Sequence, residues 1–188
     1  SSIEDLVRRL RELSKRNTEE LKRSSEESED SVREVEDRVR ELVKRLRELL
    51  KRVEDLIRKI EGKEELEKLV RDAKKTLDDV LKEITDLVKE HNDRNRRLLE
   101  ESEESSRRVK EKLKKVLEDV RRESTSEEME KRAKELEEEV RDLTRRNEDA
   151  LRRDRDTVKR STERVDKVLK DLEREVRDIK RRVDEATK

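Results

Sequence analysis

One histidine, one aspartate and several serines, threonines and asparagines stand where a helical sequence would carry leucine. His91 is the single histidine of the chain and continues the apolar series Leu66, Val70, Ala73, Leu77, Val80, Ile84 and Leu87. A histidine could act there as a general base or a metal ligand, but either chemistry needs partner side chains. The chain has no cysteine and no second histidine to supply them. The Glu-x-x-His spacing of di-metal bundles is missing too, because Val88 holds the required position. A hydrogen-bonded core histidine is the reading these residues support. Asp154 is the one acid on the inner stripe of its helix. It could be a general base with a shifted pKa. The plainer reading is an acceptor for Ser24, Ser28, Ser102 or a neighbouring arginine, since an unpaired buried carboxylate is costly. The serine groups have no base and no oxyanion hole beside them, so they do not read as nucleophiles. No catalytic residue, metal site or cofactor is expected.

These residues draw their meaning from the pattern they interrupt. Ile3, Leu6, Val7, Leu10 and Leu13 recur at steps of three and four, as do Val32, Val35, Val39, Leu42, Leu46, Leu49, Val53, Leu56 and Ile60. Such steps lay side chains along one face of a helix. Between the two series, Lys22 to Ser31 contains no apolar residue, and Ser24, Ser28 and Ser31 fall on the expected inner positions. The second stripe passes from Leu87 through His91, Asn95, Leu98, Ser102 and Ser105 to Val109, Leu113, Val116 and Val120. The third runs Leu136, Val140, Leu143, Asn147, Ala150, Asp154, Thr157 and Ser161, then Val165, Val168, Leu172, Val176, Ile179 and Val183. Ser1-x-x-Glu4 and Thr125-x-x-Glu128 have capping-box spacing, and Ser124-Thr125-Ser126 reads as a turn. Gly62, the only glycine, marks the other helix end. The spacing predicts helices at about 2–61, 64–123 and 126–187.

Composition narrows the class. The 188 residues include 55 basic and 55 acidic side chains, 59% charged in all, with no aromatic residue and no proline. High charge without net charge, carrying a helical period, signals long packed helices rather than disorder. Without cysteine the chain is indifferent to redox compartment. No apolar run approaches the ~20 residues of a membrane span, and no signal-like apolar segment opens the sequence, so a soluble chain compatible with cytoplasmic expression is expected. Positive and negative charges alternate at helical spacing, which leaves no basic face for phosphates or anionic lipid.

Short connections force neighbouring helices to run antiparallel. The expected fold is all-α, an elongated up-down-up antiparallel three-helix bundle of coiled-coil type, with helices of about 60 residues and ~90 Å each and one domain over 1–188. Residue i of the first helix should lie near 125 − i of the second and i + 125 of the third. That register brings the polar intervals to one level. The candidates for a buried polar network are then Asn17, Ser24, Ser28, Ser31, His91, Asn95, Ser102, Ser105, Thr144, Asn147, Asp154, Thr157 and Ser161.

Matched helix lengths, Glu/Lys/Arg surfaces, the absence of aromatics, the economical Glu61-Gly62-Lys63 and Ser124-Thr125-Ser126 connections, and Ser, Asn, His and Thr grouped in the core are together similar to computationally designed helical bundles with buried hydrogen-bond networks. Natural spectrin-like repeats are also three-helix units, but their helices are shorter and usually carry a core tryptophan, absent here. The resemblance implies a structural scaffold without natural activity, needing no partner and monomeric. The alternative is an interaction module. Its pairs Leu6–Val7, Leu42–Val43, Leu49–Leu50 and Leu56–Ile57 would widen the stripe enough to take a second copy or a further helix. Nucleic acid and membrane are not expected as partners. A gel-shift assay at physiological ionic strength should therefore show no salt-sensitive micromolar complex with DNA or RNA.

Overall fold

The computed structural model describes residues 2–122 and 126–187, and within them the chain forms three long α-helices, packed against one another, and no strand. They are α1 (Ser2–Ile57), α2 (Glu64–Arg121) and α3 (Ser126–Ala186). Both capping boxes and the Ser124-Thr125-Ser126 turn rest on residues outside the described ones. α1 ends four residues short of the expected limit. Its last turn tightens, with Lys59 N–H donating to the Leu56 carbonyl at 3.2 Å and Ile60 N–H to the Ile57 carbonyl at 3.0 Å. Such i−3 bonds occupy carbonyls that a helix end leaves without partners. Gly62 then takes a left-handed backbone, φ 69°, a region that a side chain makes costly. Lys63 opens the next helix, its carbonyl accepting from Glu67 N–H at 2.9 Å. Glu64, Glu65 and Glu67 follow, placing negative charge on the positive end of the α2 dipole.

The buried stripe differs in phase from a heptad. Along α1 it runs Ile3, Val7, Leu10, Ser14, Asn17, Leu21, Ser25, then Val32, Val39, Val43, Leu46, Leu50, Val53 and Ile57. Ile3, Leu21, Val39 and Ile57 recur every 18 residues, as do Met129, Asn147, Val165 and Val183 in α3. Eighteen residues make about five turns at 3.6 residues per turn. A stripe with that repeat keeps to one side of a straight helix, whereas a repeat of 3.5 drifts and demands a left-handed supercoil. This corrects several inner positions. Leu42, Leu49 and Leu56 are half-buried flanks beside the buried Val43, Leu50 and Ile57, and Val168 is exposed beside the buried Leu169. The α2 stripe lies where the spacing puts it, through Val70, Leu77, Ile84, His91 and Asn95 to Val109 and Leu113.

The helices divide between two compact units, one of residues 1–29 and 92–156, the other of 30–91 and 157–188. In all three helices the division falls inside the polar interval, where apolar side chains are fewest. The second unit has the longer apolar core, built on Val39 to Ile57 of α1, Val70 to Leu87 of α2 and Val165 to Val183 of α3. Arg38 closes its rim with two bonds to Asp166, at 3.0 and 3.1 Å, and Arg47 pairs with Asp78. The first unit has an apolar cluster of Ile3, Val7 and Leu10 with Val109, Leu113, Val116, Met129, Leu136 and Val140. Lys112 and Glu139 meet at its edge, 2.9 Å apart. Such exposed pairs contribute only about 0–1 kcal/mol each, so the apolar stripe carries the stability. Leu50→Ala should cost about 2–5 kcal/mol in urea unfolding, and Leu49→Ala, one position away on the half-buried flank, about 1 kcal/mol.

Candidate functional site

Beyond its apolar cluster the first unit turns polar, and the polar groups bond between helices. Asn17 of α1 donates through Nδ2 to Thr144 Oγ1 of α3 at 2.5 Å. Thr144 gives its own hydrogen to the Val140 carbonyl one turn back, at 2.9 Å. On the opposite flank Thr18 Oγ1 lies 3.1 Å from Ser106 Oγ and 3.2 Å from the Ser14 carbonyl. A hydroxyl has one hydrogen to give. With the carbonyl taking that of Thr18, Ser106 is the donor across the helices. A turn deeper, Asn147 Nδ2 donates to Ser102 Oγ at 3.1 Å, both residues buried. The last layer is ionic, with Arg94 Nε donating to Asp154 Oδ1 at 2.7 Å. The Asp154 side chain is 7% exposed and that of Arg94 37%, so the arginine reaches in from the surface to meet a buried acid.

No protein-family model, curated protein or solved structure matches this chain. Its site is therefore read from its own geometry. Among the described residues no group of three or more His, Asp or Glu side chains could share a metal ion. Also among them, no helix is long and apolar enough to cross a membrane. The arrangement supplies paired donors and acceptors, each on a different helix.

Some of the expected polar residues bond between helices. Asn17 and Thr144, Ser102 and Asn147 are brought together, and Asp154 finds an arginine. His91, at 0% exposure, and Asn95 are buried. Ser24, Ser28, Ser105 and Ser161 are half-buried, with Ser161 Oγ accepting from Arg164 at 3.4 Å. Ser31 and Thr157 are corrections: both are exposed, beside the buried Val32, itself an expected inner residue, and the half-buried Val158. Ser25, one position past the expected Ser24, is buried, as is Ser14. Thr18, Ser25, Arg94 and Ser106 escape a reading in steps of 3.5, whereas Ser14, seven residues after Val7, fits one. The 18-residue recurrence Val7, Ser25, Val43 would have found Ser25. Contacts in the first unit also refine the register, because Asn17 meets Thr144 at a separation of 127 rather than 125.

The ionic layer yields a directional test. Arg94→Leu should destabilise the chain by about 1–3 kcal/mol, less than the 3–5 of a fully buried pair because the arginine is part-exposed. Adding Asp154→Leu should recover most of that loss, and a double-mutant cycle in urea checks it.

Proposed function

We propose that this chain is a product of protein design with no natural activity, a structural bundle whose polar layers specify which helix faces meet. The observation that carries this reading is the pairing of Asn17 with Thr144 and of Asn147 with Ser102, donor to acceptor across different helices. An amide facing leucine in a shifted register would lose its partner, so wrong alignments are penalised more than the right one is rewarded. The 18-residue recurrence of the buried stripe in α1 and α3 is in keeping with a designed origin. The chain needs no cofactor and acts on no substrate.

A self-associating or helix-accepting module is less well supported. The adjacent apolar pairs that would form its surface are used up at home, since Leu42, Leu49 and Leu56 pack against the core of the second unit and Leu6 against that of the first. Among the described residues Val168, at 37% exposure, is the one exposed large apolar side chain.

The test replaces polar layers by apolar ones. A leucine recovers about 1.5–3 kcal/mol of burial, against about 0.5–1.5 for a lost hydrogen bond. The variant Asn17→Leu, Thr144→Val, Ser102→Val, Asn147→Leu should melt about 5–10 °C higher and show mixed oligomers by light scattering, where the parent shows one species across a concentration series. A sharp fall in melting temperature with a single species would defeat this reading.

A further inference from the structure

Ser25 is a buried polar group that the layers leave unexplained. It is 1% exposed, on the buried stripe of α1 in the first unit, and its Oγ has no hydrogen-bond partner among the described residues. Several helical threonines in this protein turn their hydroxyls back onto the carbonyl four residues earlier, as Thr18, Thr144 and Thr85 do. Ser25 does not. The Thr18–Ser106 and Asn147–Ser102 contacts set the local register. By that register Ser25 is level with Leu98 and Leu99 of α2 and with Ala150 and Leu151 of α3. All four are half-buried, straddling the stripe rather than filling it. At this level the small Ser25 is thus the buried residue, between the Ser102–Asn147 layer on one side and the Arg94–Asp154 pair on the other.

Ser102 supplies the second half of a site. Its Oγ accepts from Asn147, which leaves the hydroxyl's own hydrogen to be given elsewhere. Ser102 lies within about one turn of the Ser25 level on the facing helix. An unpartnered buried hydroxyl and a hydroxyl with a hydrogen still to give, about one helical turn apart on facing helices, suit a water molecule, which makes about three hydrogen bonds when buried. We propose that Ser25 and Ser102 hold an internal water in the first unit, accepting from Ser102 and bonded to Ser25 Oγ. The inference goes beyond the structural role proposed above and does not depend on it, since a bundle of any origin must satisfy a buried hydroxyl.

Oxygen-17 magnetic relaxation dispersion on the full chain counts long-lived internal waters. Ser25→Val should lower the dispersion amplitude by the contribution of one water, Ser102→Ala should lower it likewise, and Ser31→Val, on the exposed side, should leave it unchanged. Equal amplitudes in all four proteins would overturn the proposal. A high-resolution crystal structure of the parent chain provides the check that needs no variant. Density within hydrogen-bond distance of both Oγ atoms supports the water, whereas a Ser25 hydroxyl turned onto the Leu21 carbonyl with no such density refutes it.

Discussion

A buried polar side chain must find a partner, and in a helical protein the backbone offers few. Every amide in a helix interior already bonds to the carbonyl four residues back, so a side chain has two options. It can share a carbonyl of its own helix, as Thr144 does with Val140, or reach another helix, as Asn17 does to Thr144. A hydroxyl can do both at once, one as donor and one as acceptor, whereas an amide needs the neighbour. That requirement explains why asparagine stands opposite threonine or serine in this chain, and why the single buried carboxylate of α3 draws in an arginine.

The same requirement sets the energetic character of each unit. In the second, valine, leucine and isoleucine fill the stripe almost without interruption, and burial alone accounts for cohesion. In the first, apolar packing is confined to one end, and Leu21 is an isolated apolar member amid polar layers. Hydrogen bonds there return less free energy than leucines would give. What they contribute is discrimination between alignments, because a regular leucine stripe fits its neighbours in several registers and an asparagine fits in one. Surface ion pairs, mostly three or four residues apart along one helix, add solubility and little else.

Most of the fold was legible in the sequence because steps of three and four admit only helix, and short connections admit only antiparallel neighbours. Gly62 announced the end of α1 because the left-handed backbone there is one that glycine adopts at least cost. The inner face was harder. The difference between a 3.5 and a 3.6 repeat is invisible over two turns, yet across the serine-rich interval it moves the centre by one residue. No apolar side chain between Lys22 and Ser31 corrects the drift, so a reading in steps of 3.5 lands on Ser24 where Ser25 is buried, and counts Ser31 as inner beside Val32. In α2 His91 and Asn95 are themselves on the stripe, and its phase was read correctly. Arg94 could not be found from spacing at all. Its stem starts from the flank, and only the position of Asp154 on the neighbouring helix gives its head a reason to turn inward.

The central claim is that the polar layers surrender local stability for defined pairing. Native-state amide hydrogen exchange measures that surrender residue by residue. Amides at Ser24–Glu29, Glu101–Ser106 and Ala150–Asp154 should exchange by openings of lower free energy than those at Leu46–Val53 and Leu77–Ile84. Equal protection across both sets would contradict the account, because it would mean that the hydrogen-bonded layers are as cohesive as the apolar core.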